Sequence, residues 1–253
     1  MALSPQALIK GLVSRALPSF NADSTNSDVA IRQGTYGEVF TMPAVRKAHV
    51  LADEGSYYLA NNAQTGIASA YNTAFTATAP FITIYNGNAL TRAFIDYAAL
   101  VAIAAGACTT TAGYIAAAVV VDIGNRYSSG GSALTPVNSN LLVGNNSNVQ
   151  INAGAVTATA ATTSARTLVG VRNLRPNVSS TVINVVGDMN LLNFGSVEGA
   201  VGSITVANAN IMPQALPPLI VPPLSTGLIY IWYPVMTAPS AATFAPELGF
   251  WVR

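Results

Sequence analysis

The chain has 253 residues, 51% of them hydrophobic and only 8% charged, with a net charge of +1. A charged share of about 25% is usual, and catalytic sites draw on His, Cys, Asp, Glu and Lys, so one His (His49), one Cys (Cys108) and ten scattered carboxylates leave little from which to build an enzyme. Near-zero charge removes the field that would steer nucleic acid or an anionic membrane, a single Cys rules out an internal disulfide and a cysteine-based zinc site, and weak repulsion favours association.

The first 54 residues hold both Lys (Lys10, Lys47) and half of the carboxylates (Asp23, Asp28, Glu38, Asp53, Glu54). Within them Ser4 to Leu17 is predicted as a short amphipathic helix. Leu8, Ile9, Leu12, Val13 and Leu17 recur near helical spacing, Ser4 and Pro5 start it, and Pro18 ends it. Pro5 and Lys10 interrupt what would be the apolar region of a secretory signal. Asn21 to Asp28 is polar and turn-like. Residues 1–79 therefore read as an N-terminal arm and linker, and residues 80–253 as the folded domain.

From Pro80 the pattern is one of strands. Segments 81–85, 91–103, 114–123, 166–172, 181–186, 189–194, 228–233 and 248–253 are rich in β-branched and aromatic residues and separated by turn signals such as Asn86-Gly87 and Gly124-Asn125. Residues 126–132, with Ser-Ser-Gly-Gly, read as a loop, and the Ala/Thr-rich stretches 68–79 and 153–165 read as small-residue loops. The prolines at 213, 217, 218, 222 and 223 are excluded from central strands and mark an extended surface connection. Residues 97–121 carry no charge, but Gly106, Thr109 to Thr111 and Gly113 divide them, so two buried strands are expected there rather than a membrane span. Cys108 is expected to be buried and inert. With no clear helices between the strands, the fold class is all-β: an antiparallel β-sandwich of jelly-roll type with an extended N-terminal arm.

Few constellations carry chemistry. His49 and Asp53 would share a helix face, but no second His exists to complete a metal site, and a solvated turn or an intersubunit salt bridge accounts for them. No Gly-x-Ser-x-Gly elbow surrounds any Ser, and no Gly-x-x-x-x-Gly-Lys occurs. Asn125 to Gly131 reads as a polar loop ordered by Arg126 and Tyr127, and Glu198, with only Asp188 near in sequence, is too isolated for calcium. No catalytic, cofactor-binding or metal-ligating residue is assigned. Arg166, Arg172 and Arg175 form the densest basic cluster; together with Arg126 and Tyr127 they are candidates for contact with a partner.

The strings Leu51-Ala-Asp-Glu-Gly-Ser-Tyr-Tyr58, Asn125-Arg-Tyr-Ser-Ser-Gly-Gly131, Leu192-Asn-Phe-Gly-Ser-Val-Glu198 and Pro246-Glu-Leu-Gly-Phe-Trp251 resemble a little-described family of tailed-bacteriophage virion proteins, over about residues 31 to 253. The resemblance implies a capsid cement or decoration protein: a jelly roll, made in the host cytoplasm, that binds the major capsid protein of the phage head as a homotrimer. It implies no nucleic acid, membrane or cofactor and carries over no catalytic residue. Arg15, Arg32, Tyr36, Arg46 and Lys47 on the arm are then the candidates for capsid contact. The alternative is a receptor- or carbohydrate-binding module of a tail fibre or spike, with Tyr57, Tyr58, Tyr127 and Trp232 as candidate sugar-stacking rings.

Overall fold

The structure, a computed structural model, describes residues 47–62, 65–69, 72–107, 115–175, 182–184, 186–195, 216–234 and 242–253. The expected helix at 4–17, Cys108, and the candidates Arg15, Arg32, Tyr36 and Arg46 lie outside them. The chain divides after Arg46, and Lys47–Arg253 is one compact unit.

That unit is all-β and antiparallel. One short helix, α1 (Lys47–Asp53), precedes fourteen strands among the described residues: β1 (Tyr57–Asn61), β2 (Ile67–Ala68), β3 (Ile82–Asn86), β4 (Ala93–Ala104), β5 (Gly106–Ala107), β6 (Ile115–Ile123), β7 (Tyr127–Asn138), β8 (Val149–Ala158), β9 (Arg166–Arg175), β10 (Val182–Asn184), β11 (Met189–Asn193), β12 (Leu219–Val221), β13 (Ser225–Trp232) and β14 (Thr243–Val252). Twelve of them form one curled sheet in the order β11-β4-β14-β1-β7-β8-β3-β13-β6-β9, with β12 also on β4 and β2 on β14; β5 and β10 pair separately. The jelly roll names one particular strand order; the observed order shares with it the antiparallel, all-β sandwich.

Strand β7 joins the two halves of the sandwich. Its last four residues pair with β1, Asn61 opposite Thr135 and Tyr58 opposite Asn138. Its earlier residues pair with β8, from Tyr127 opposite Ala158 to Leu134 opposite Ile151. One core lies between the halves. Tyr58, Leu100, Leu248 and Phe250 come from one side and Ile82, Ile84, Ile151, Val119 and Ile229 from the other. Phe81 meets Phe244 edge-on at 5.9 Å, and Tyr58 stacks on Phe250 at 5.6 Å. The period-2 alternation of β1, β8 and β14 follows from this packing, one face inward and one outward.

Several expectations change on contact with this fold. Residues 127–132 are not a loop: β7 runs through them, and Gly130 and Gly131 hold φ of 76° and 70° where the register against β8 shifts. These are β-bulges that bend the strand, which is why turn-like composition sits inside it. Ala/Thr-rich residues 153–158 likewise belong to β8. The expected linker up to residue 79 contains β1, hydrogen-bonded on both edges. The prolines at 217, 218, 222 and 223 bracket β12, whose Leu219 and Val221 are buried in the core rather than lying along a surface. Residues 93–104 and 115–123 are separate strands, and among the described residues no helix is long and apolar enough to cross a membrane.

Candidate interaction surfaces

The outward faces of the two halves differ. On β6 and β13, residues alternate outward as Ala116, Ala118, Val120 and Leu228, Tyr230, Trp232, and this face is covered by the chain itself to form a second apolar cluster with Ala158 and Ala165. Phe75 lies on it, its ring 4.8 Å from Tyr230 and 5.6 Å from Trp232. Arg126 pins this cover. The residue is 1% exposed. Nη1 donates to Asp122 Oδ2 at 3.0 Å, Nη2 to the Ala77 carbonyl at 3.0 Å, and Nε to the Thr159 carbonyl at 3.0 Å. Asp122 also accepts from the Thr162 amide (2.9 Å), the Ile123 amide (2.9 Å) and the Thr162 hydroxyl. Burial pushes the Asp122 carboxyl up, but the Thr162 and Ile123 donors and the Arg126 guanidinium more than reverse this and hold it below the ordinary carboxylate value. Arg126 is therefore an internal clamp between residues 77, 122 and 159, and its expected role as a partner contact is corrected: the guanidinium is buried and spent on bonds within the chain.

The outward face of the other half is left largely uncovered by the described residues. It presents Val137 from β7 and Met189 and Leu191 from edge strand β11, all exposed, with half-buried Leu59, Val101 and Ala245 between them. At one end of this face Phe94 stacks on Trp251, centroids 5.4 Å apart and planes within 2°. Beside them Tyr97 donates to Glu247 at 2.5 Å and Tyr57 to Asp96 at 3.2 Å. Gly249 opposes Tyr97, and a Cβ there would run into the Tyr97 ring and the Tyr57 hydroxyl, so glycine is what lets both rings lie across β14. Burial, reinforced by the neighbouring carboxylates, pushes both phenols well above their ordinary value, so they stay protonated and donate to those carboxylates.

A third feature is the loop after β7. Asn138 anchors it, its Nδ2 donating to the Gly55 carbonyl at 2.6 Å and its Oδ1 accepting from the Asn140 amide at 2.8 Å. Asn140 in turn accepts from the Leu142 amide at 3.0 Å and donates to the Asp53 carbonyl at 3.0 Å. Asn145 Oδ1 caps the Asn138 amide at 2.7 Å. This asparagine scaffold holds Leu141 and Leu142, each 95% exposed, beside a cleft lined by His49, Ala52 and Asp53. His49 and Asp53 thus do lie on one side of α1, next to two leucines rather than next to further ligands. Among the described residues no three His, Cys, Asp or Glu side chains converge.

The fourth is a groove of about 520 Å³ where the curled sheet stops short of closing. Leu168 and Arg166 of edge strand β9 form one wall, Val121 and Ile123 of β6 the floor, and Pro218, Ile220 and Pro222 around β12 the other wall.

The remaining sequence candidates are scattered. Arg166 is exposed on the groove rim; Arg172 and Arg175 share β9 with it. Tyr127 is half-buried and donates to the Gly130 carbonyl at 3.1 Å. Lys47 begins α1. Of the proposed sugar-stacking rings, Tyr57, Tyr58 and Trp232 are buried, which corrects their use as an exposed platform. Sequence reasoning passed over Leu141 and Leu142; the available signal was an apolar pair inside the Asn/Ser/Gly-rich stretch 138–148, where nothing periodic calls for it. No protein-family model, curated protein or solved structure matches the chain.

Proposed function

We propose that this is a structural virion protein of a tailed bacteriophage, a cement or decoration protein that binds and stabilises the major capsid shell of the head as a homotrimer of jelly-roll type. The observation that carries the reading is the unequal treatment of the two outward faces. The described residues cover the β6–β13 face and clamp that cover with Arg126, yet leave Val137, Met189 and Leu191 exposed on the β11-β4-β14-β1-β7 face. Exposed apolar side chains interleaved with Glu247, Asn61 and Thr135 make a mixed apolar and polar surface of the kind partners bind, and an exposed apolar edge such as β11 is a liability unless something covers it. The resemblance to virion proteins supplies the class of partner.

In this reading the bare face rests on the capsid, and Arg15, Arg32, Tyr36, Arg46 and Lys47 add contacts from the arm. Three linked subunits then bind far more tightly than one. The test is location: mass spectrometry of purified virions and electron microscopy of the particle. The chain is expected in stoichiometric amounts on the outside of the head. Its absence from virions overturns the proposal.

A further inference from the structure

We infer that the Leu141–Leu142 loop of one copy docks in the β9–β12 groove of a second copy of this chain, a contact between two different surface patches. The inference rests on the proposed self-assembling role and assigns the residues that perform it.

The loop has the features of a docking knob. Two leucines at 95% exposure stand at its tip. They are not a floppy excursion, because Asn138, Asn140 and Asn145 tie the loop to itself and to residues 53 and 55. A loop fixed in its bound shape loses little entropy when it docks. The groove has the features of a receptor. Its walls, Leu168, Ile220, Pro218 and Pro222, are apolar, and at about 520 Å³ it exceeds by several times the roughly 150 Å³ cavity that takes up benzene, so two leucine side chains fit.

Charge selects the occupant. The described acidic side chain lining the cleft beside the leucines is Asp53, which is exposed; His49 lines the same cleft. The groove rim carries Arg166, also exposed, while the other charged group there, Asp122, is already neutralised by Arg126. An acid-flanked apolar knob thus matches an Arg-rimmed apolar groove on the same molecule. With a net charge of +1, two copies meet without long-range repulsion. A contact between unlike patches either closes into a ring or propagates as a chain; a closed trimer is one such ring.

The experiment uses the full chain and sedimentation over a concentration series. Leu141→Asp with Leu142→Asp alters only the loop tip, and Ile220→Arg fills the groove from an exposed position. Each variant is expected to weaken self-association by at least about 100-fold, the scale of two buried leucines. Mixing the two variants leaves one intact knob facing one intact groove. The mixture is expected to form a 1:1 heterodimer and nothing larger. Arg166→Glu should weaken assembly roughly three- to tenfold at low salt, and Asp53→Arg in the same chain should restore it. An oligomer that survives the leucine variant, or a mixture that stays monomeric, overturns this contact while leaving the virion reading in place; that reading fails separately, by absence from particles. A wild-type chain that is monomeric at all concentrations overturns the inference outright.

Discussion

Arg126→Met keeps the apolar stem of the side chain and removes its three nitrogens, and the structure sets what this should cost. Removing one partner of a buried ion pair costs about 3–5 kcal/mol. Asp122 keeps three other donors, from Thr162 and Ile123, so the carboxylate is not stranded and the low end applies, about 3 kcal/mol. The Thr159 carbonyl loses its side-chain donor as well, while the Ala77 carbonyl loses Arg126 but still accepts from the Tyr230 hydroxyl at 2.9 Å. Thr159 is exposed and Ala77 half-buried, so water replaces much of that loss and adds at most about 1 kcal/mol. The expected total is about 3–4 kcal/mol, measured by urea unfolding at fixed protein concentration. Trp232 fluorescence should respond before the global transition, because Arg126 holds down the segment that carries Phe75 over it. A cost below about 1 kcal/mol, or an unchanged Trp232 signal, would refute the view of Arg126 as the clamp of this layer.

Gly249→Ala is expected to lose about 1–3 kcal/mol, since the added methyl meets the Tyr97 ring and the Tyr57 hydroxyl; the same urea titration measures it. Stability should fall above about pH 10, because Tyr57, Tyr97 and Tyr230 all have folded pKa values above that of the free phenol and the unfolded chain then gives up protons first. It should fall again below about pH 4 as Asp122, ionised more readily when folded, takes up its proton. Thermal melts from pH 2 to 12 check both limbs, and a midpoint that holds steady beyond pH 11 contradicts the first. A chain beginning at Lys47 should fold, whereas one beginning at Ala79 should not, because it lacks β1 between β14 and β7; near-ultraviolet circular dichroism distinguishes them.

Strands with a simple local signature were legible in the sequence. Residues 82–86, 115–123 and 225–232 carry β-branched and aromatic runs bounded by turns, and they are strands at nearly the expected bounds. β1 was not legible, because Tyr57–Asn61 is five residues long and follows an acidic turn; its pairing is set by strands far along the chain. β7 was hidden by Gly130 and Gly131, which mark bulges as readily as turns. β12 was hidden by its flanking prolines, which end a strand without forbidding three residues between them. For the surfaces, the charged residues that drew attention divide between a buried clamp and a groove rim, since composition reports that an Arg is present and only the fold decides which way it faces. The leucine tip became visible once the asparagines around it proved to be a scaffold.

The position of β1 also sets a timetable. Tyr57 pairs with Trp251 on one edge and Tyr58 with Asn138 on the other. At about 5–20 residues per second of synthesis, β7 emerges within seconds of β1, while β14 follows only after roughly 10–40 s. Until then β1 and β4 each lack the neighbour that β14 supplies, and the half-sheet that bears the bare outward face does not exist. A polypeptide interrupted anywhere before residue 243 cannot form that face. The sheet order therefore acts as a proofreading step on its own production: only chains synthesised through β14 gain that outward surface.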